Sequence, residues 1–335
     1  MTKKNNTKLA RTKILSIGVP AYNQGAHLQN TIASLLNQTT QPFEIVISDN
    51  WSTDNTAEVI QTFGDRIKSI RPPHHMNMME HWNFVVENLE SPWFSLLSSD
   101  DEAKPNFVSA MLHGIESNEN AILIRSGYEN IDGEGKLLET RYIFSVKRIC
   151  KSPTTLYEQL EGPKVNFSAF AVRKDCWKQV GGFPEDLNLF GDWGFWLKIA
   201  HLGDFIYHHD IVSRYRTQYR KNIKTERLLA ALRDDIFIYE NIIPQALSKI
   251  QNPDSAKVAK ASKSRCFQNL VTVSHLDTSE PARTKALEIL KNWAQTTDLT
   301  KIWLEVKYGA KLTATHQPNF IRKAARKILQ RITSI

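Results

Sequence analysis

The sequence predicts an α/β protein in which a mostly parallel sheet, flanked by helices, is followed by a helical C-terminal extension. Short apolar runs alternate with amphipathic helical stripes between Ile14 and Leu97. Three of those runs end in polar residues, at Tyr22-Asn23, Asp49-Asn50 and Asp100-Asp101. From about Thr225 the alternation stops and only helical spacing remains. The chain therefore divides into a basic N-terminal tail (1–13), an α/β domain (14–222) and a helical region (223–335).

The elements follow in order. Ile14-Leu15-Ser16-Ile17-Gly18-Val19 reads as a first strand, buried on both faces and stopped by Pro20. Leu28, Ile32, Leu35 and Leu36 then form the stripe of a helix. Pro42 breaks it, and Phe43 to Ile47 makes the second strand. Ser52 to Thr56 is dense in capping residues ahead of Val59, Ile60 and Phe63. A weak strand near Ile67–Ile70 and a helix bearing Trp82, Val85, Val86 and Leu89 lead to the central strand at Trp93. Pro105 suits the first turn of the next helix. Later strands are expected at Ala121–Ile124, Asn166–Arg173, Phe205–Tyr207 and Val212–Tyr215.

Composition narrows the class. Of 335 residues, 41% are apolar and 23% charged, which is ordinary for a globular protein. No apolar run reaches the roughly 18 residues of a membrane span. Ile14 to Val19 is too short for a signal-peptide core and runs into Pro20 rather than a small-residue cleavage site. Cys150, Cys176 and Cys266 are odd in number and widely spaced, which argues for a reducing compartment and against a disulfide framework. Charge is uneven. Residues 1–220 hold 23 Lys/Arg against 25 Asp/Glu, whereas residues 221–335 hold 20 against 10, and no acid follows Glu305. Ile321, Ala324, Ala325, Ile328, Leu329 and Ile332 share a helical face opposite Arg322, Lys323, Arg326, Lys327 and Arg331. Such a helix suits an anionic membrane surface. A nucleic-acid partner is not expected, since only Tyr308 and Phe320 interleave aromatics with the basic residues there.

Asp100-Asp101 closes an apolar strand, at the sheet edge where ligands of α/β proteins bind. Adjacent carboxylates there repel unless solvent or a cation relieves them. The pair reads either as a solvated helix-capping turn or as a divalent-metal site for a diphosphate.

Val19-Pro20-Ala21-Tyr22-Asn23, Ser34 to Thr39, Val46 to Asp54, Asn77 with Asn83, and Leu97-Ser98-Ser99-Asp100-Asp101 stand in the order found in the family 2 glycosyltransferases, which this chain resembles. The resemblance implies the GT-A fold and an inverting enzyme using a nucleotide-diphospho-sugar. It implies that Pro20, Tyr22, Asp49, Asn50, Arg71 and Asp100 form the nucleotide-sugar site. Tyr22 would flank the base, Asp49 would accept from its imide N–H, and Asp100 would face the ribose or sugar. Asp101 would bind Mg²⁺ or Mn²⁺. Many relatives carry acids where this chain has Asn50 and Ser99, which implies weaker metal binding or a different base contact. Gly191-Asp192-Trp193 matches the family's acid ahead of an aromatic helix, so Asp192 would be the catalytic base, with Glu185 and Asp186 as alternatives; without the family it reads as an N-cap. Trp193 and Trp196 could floor the acceptor site. By the same resemblance Arg214 and Arg216 would meet phosphate, and a histidine at 208 or 209 would complete the metal site.

The expected function is transfer of a sugar from a UDP- or dTDP-sugar to a glycan or lipid-linked glycan acceptor, at the cytoplasmic face of a membrane. A catalytically degenerate sugar-nucleotide binder of the same fold is the alternative, with a basic nucleic-acid-binding protein behind it.

Overall fold

A computed structural model of the chain describes residues 13–41, 43–217, 225–277, 279–309 and 312. Nearly all of the basic N-terminal tail, and the whole basic helix expected over Ile321–Ile332, lie outside the described residues.

The first half alternates as the sequence predicts. Its elements are β1 (Leu15–Ala21), α1 (Gly25–Leu36), β2 (Glu44–Asp49), α2 (Thr56–Gln61), β3 (Lys68–Ile70), α3 (Met78–Glu87) and β4 (Trp93–Leu96). Next come β5 (Glu102–Ala103), α4 (Phe107–Glu116), β6 (Ala121–Ile131), β7 (Leu137–Arg141), β8 (Arg148–Cys150) and α5 (Thr154–Gln159). The sheet is completed by β9 (Phe170–Arg173), α6 (Lys174–Gln179), α7 (Gly191–Ile199) and β10 (Asp204–Arg216). One sheet runs β3-β2-β1-β4-β9-β6-β10-β5, with β7 added on β6 and β8 on β10. The longest ladders, β1 with β2 and β6 with β10, are parallel; β9 enters antiparallel between β4 and β6.

Strands β1, β2 and β4 are buried almost throughout, which is why they read as continuous apolar runs rather than alternating ones. Side chains of α1 and α4 fill one face of the sheet, with Leu28, Ile32, Phe107 and Met111 against Ile17 and Val19. On the other face, α3, α7 and the C-terminal helices share a single core. Those helices are α8 (Thr225–Phe237), a π turn at Ile238–Ile242 leading into α9 (Ile243–Leu247), α10 (Ser255–Ser274), α11 (Pro281–Thr296) and α12 (Thr300–Lys307).

Four local expectations change. Phe205–Tyr207 and Val212–Tyr215 belong to one strand, β10, whose register shifts around His208–Ser213 absorb the polar interruption. The strand at Ala121 runs on to Ile131, because β7 and β10 pair with its polar second half. Asn166–Ala169 is a turn, and β9 starts at Phe170. Pro105 lies before α4, which has Asn106 at its N-cap, because β5 first carries the chain into a pairing with β10.

Candidate active site

The carboxyl ends of β1, β2 and β4 lie side by side, and the loops leaving the first two are laced together. Asn23 adopts a left-handed φ of 52°, a conformation in which Asn is tolerated better than most residues. Its side-chain oxygen accepts from the Thr53 N–H at 2.8 Å, and its own N–H donates to Ser52 Oγ at 3.0 Å. Asp54 Oδ2 accepts from the Gly25 N–H at 3.0 Å, fixing the start of α1. Beside this lacing opens a cleft of about 360 Å³ whose walls include Pro20, Tyr22, Asn50 and Asp100. The structure thus brings together four of the residues singled out in the sequence.

Cleft residues that the motifs did not indicate include His75, Met76, His81 and Trp82. The His75 ring lies 4.7 Å from that of Tyr22, so two rings flank one end. His81 is buried, its Nε2 is 2.8 Å from Ser48 Oγ, and burial pushes its pKa down to about 4, so it is neutral at pH 7. Polar residues in a helix stripe, such as His81, carry no spacing signal of their own.

Asp49 and Arg71 form an ion pair beside the cleft rather than in its wall. Burial works to raise the Asp49 pKa, but the Ser52 hydroxyl and N–H and the Arg71 guanidinium together hold it below the ordinary carboxylate value. Arg71 also lies 5.2 Å over the Trp51 ring. Asn50 spends its amide on the backbone of Met76, donating to the carbonyl at 2.8 Å and accepting from the N–H at 2.9 Å. An aspartate could not make the first of those bonds. Asn50 therefore fixes the wall of the cleft, a role that asparagine fills and an acid would not.

Asp100 faces the cleft, and Asp101 lies behind it, fully buried. Asp101 accepts from the Ser168 hydroxyl and, at 2.7 Å, from the Arg216 N–H. Burial raises the pKa of both aspartates, and the neighbouring Asp100 charge raises that of Asp101 further. This is the electrostatic condition that a divalent cation relieves, so the pair fits a metal held with the oxygens of a diphosphate. Among the described residues, no group of three or more His, Cys, Asp or Glu side chains could hold a metal ion. A cation held there would have to take its remaining ligands from outside these side chains. His208 faces Asp210 at 3.1 Å and the His113 ring instead.

Arg214 and Arg216 do not wait for phosphate. Arg216 donates to the carbonyls of Asp100 (2.8 Å), Asp132 and Gly133 (both 3.0 Å) and to Glu102 (2.8 Å). Arg214 pairs with Glu102 at 2.8 Å. Both brace the Asp100–Glu102 segment, which a sequence cannot disclose because the partners are more than eighty positions away.

Asp192 stands in the first turn of α7 and accepts from the Trp193 N–H at 2.7 Å. Its surface is partly covered, yet it lies deep in the fold, and burial pushes its carboxyl up to about 6. Tyr215 reports the shared environment: burial, then the charges of Asp101, Asp100, Tyr128 and Asp192, all raise its pKa. Tyr215 thus feels the charge of three carboxylates. Glu185 is committed to Asn83 at 3.0 Å. Trp193 and Trp196 are fully buried, so they form core rather than the floor of an acceptor site.

Residues 16–175 match the family model of glycosyl transferase family 2. Just under half of the chain is thus similar to the family 2 glycosyltransferases. An uncharacterized glycosyltransferase of Rickettsia felis is 28% identical over 221 residues, covering 64% of this chain and 36% of that protein. Hyaluronan synthase of Pasteurella multocida is 26% identical over 203 residues, covering 60% of this chain and 20% of that one. The chain therefore spans about a third or less of these relatives' lengths. The structure of Staphylococcus aureus TarS 1–349 in complex with UDP-GlcNAc superposes with a TM-score of 0.56 at 14% identity, covering 88% of this chain and 90% of that one. The Pyrobaculum calidifontis mannosyltransferase PcManGT, in complex with GDP-Man and Mn²⁺, gives 0.55 at 13%, covering 89% and 87%. These glycosyltransferase neighbours confirm the GT-A fold that the motifs implied.

Proposed function

We propose that this chain is an inverting glycosyltransferase that moves a sugar from a UDP- or dTDP-sugar to an acceptor hydroxyl, with Asp192 as the base. The observation that carries this is the Asp192 carboxyl itself, lifted to about 6 by burial with no cation among the causes of its shift. A base with a pKa near the working pH combines the ionised form with real proton affinity. Asp100 and Asp101 share its surroundings, and the cleft beside Tyr22 and His75 has walls suited to a nucleotide.

In this reading Tyr22 and His75 bracket the base and Asp49 accepts from its imide N–H. Asp100 and Asp101 would hold a divalent cation, which would supply Lewis-acid stabilisation of the diphosphate's charge. The cleft fixes the donor, and Asp192 takes the acceptor proton as that oxygen attacks the anomeric carbon. The bond from that carbon to the diphosphate oxygen breaks on the opposite face, its electron pair leaving with the nucleoside diphosphate. One displacement inverts the centre, and Asp192 returns its proton to water. The UDP-GlcNAc complex of the structural neighbour supports a pyrimidine donor, and the hyaluronan synthase likeness supports a glycan acceptor. The acid-free stretch after Glu305 supports attachment to an anionic membrane, which salt-dependent binding to phosphatidylglycerol vesicles tests.

The deciding experiment compares wild type with Asp192→Asn for UDP binding in Mn²⁺ and for transfer from UDP-sugars. Retained binding with a kcat loss of about 10²–10⁴-fold is expected. Full activity in the variant would remove Asp192 from the mechanism. Binding without transfer in the wild type against a broad acceptor set would favour the degenerate binder.

A further inference from the structure

The C-terminal helices contribute a buried carboxylate that the mechanism leaves without a role. Asp234, on α8, is 1% exposed. Its oxygens accept from the backbone N–H groups of Asn188 (3.0 Å), Leu189 (2.6 Å) and Phe190 (3.0 Å), with the Asn188 amide at 3.3 Å. Phe190 is the N-cap of α7, and Asp192 stands two residues beyond it. The adjoining Asp235 takes Arg265 and Asn269, each at 2.9 Å, and the Arg265 guanidinium lies 5.7 Å from the Phe190 ring and 5.2 Å from the Trp193 ring. Two consecutive acids of α8 therefore grip the chain on both sides of Asp192, one directly and one through Arg265. Opposite them, a Cβ on Gly191 would lie 1.8 Å from Met79 Sδ, so the helix start sits hard against α3.

We propose that Asp234 is the positioning residue for the catalytic base: by gathering the N–H groups of residues 188–190 it sets where α7 begins and so where the Asp192 carboxylate stands. The inference rests on the reading of Asp192 as base. A carboxylate suits the task because a charged Oδ2 takes all three backbone N–H groups while Oδ1 takes the Asn188 amide, whereas an asparagine offers the first a neutral acceptor and turns an NH₂ toward the second. Displacing a reacting group by about 1 Å can cost 10²-fold in rate.

The test measures kcat, donor KM and UDP affinity for Asp234→Asn, Asp234→Glu, Asp192→Asn and the double variant Asp192→Asn/Asp234→Asn. Expected for Asp234→Asn is a kcat loss of about 10–100-fold with donor KM and UDP affinity within about twofold of wild type. In the Asp192→Asn background the same change should cost almost nothing further, because the group it positions is gone. A kcat near wild type in Asp234→Asn, parallel loss of kcat and UDP affinity, or full additivity in the double variant would overturn the proposal. If Asp234→Asn does not fold, Asp234→Glu keeps the carboxylate but displaces it, and must show the same split between kcat and KM. Full activity in Asp192→Asn alone defeats the base assignment instead, so the two failures are told apart.

Discussion

The proposed donor side and the proposed base side of this site are built by different means. On the donor side, Asn23, Ser52, Thr53 and Asp54 join loops from two neighbouring strands, and every partner lies within about the first hundred residues. On the base side, Asp192 depends on Trp193, whose indole donates to the Gln159 carbonyl at 2.7 Å, and on loop N–H groups held from residue 234. Tyr239 donates to the Leu160 carbonyl and packs toward both Trp193 and Trp293. The laced loops of the proposed donor side are thus a local construction on an α/β scaffold, with Asp100 and Asp101 alone braced from Ser168 and Arg216, whereas the proposed base side is a joint product of that scaffold and the helical extension.

Removing residues 225–335 is the severest way to break that contrast. Leu228, Leu229, Tyr239 and Trp293 share one core with Phe195 and Trp196, so their loss would bare a large apolar surface. The expected result is a chain with no cooperative urea transition and little soluble yield. A soluble fragment that still gains stability from UDP and Mn²⁺ would show that the donor side stands alone, and would place the domain boundary expected near residue 222.

A smaller effect separates function from stability at Asp192. Its folded pKa of about 6 exceeds the ordinary 3.8, so the stabilisation linked to its proton is fully present below 3.8 and is lost as pH rises through 6. Near pH 8 the buried charge costs on the order of 2–3 kcal/mol. Asp192→Asn keeps an acceptor for the Trp193 N–H and removes that charge. The variant should therefore be more stable than wild type at pH 8, by about 1–2 kcal/mol once the buried amide's own cost is counted. The two urea-unfolding curves should converge as pH falls toward 4. Equal stability at every pH would mean that the carboxylate is well solvated, and the case for it as a tuned base would weaken.

The same contrast explains what could be read from the sequence. β1, α1, β2 and β4 were legible because two-sided burial and a helical stripe write their period directly into the residues. Tyr22, Asn50 and Asp100 are legible in the cleft lining because strand ends on one edge must converge, and Pro20 follows from the family resemblance. Asp234, Arg265, Arg214 and Arg216 were not, because each acts on backbone or charge far along the chain and none stands in a recognisable local pattern. β10 reads as two strands in the sequence for a related reason: His208-His209-Asp210 has the composition of a turn, and only pairing with β6 carries the strand through it. Asn50, which the family resemblance places at the nucleotide, lines the cleft with its amide bonded to Met76, a partner no local pattern announces.

The finest test concerns Arg71, which could serve either the nucleotide or Asp49. The Arg71 side chain is 45% exposed, so solvent screens the pair and its contribution should stay below about 1 kcal/mol. Asp49 has a lowered pKa, so its stabilising contribution is present above the ordinary 3.8 and is lost as pH falls through the lower folded value. Arg71→Met should raise that folded value and leave the protein slightly less stable at pH 7, with the difference fading toward pH 3 as both forms protonate. UDP affinity should fall by only a few-fold, in step with the loosened Asp49. If affinity instead drops by more than about tenfold while unfolding is unchanged at both pH values, Arg71 touches the nucleotide directly. The donor side would then owe its binding to an exposed cation as much as to the laced loops.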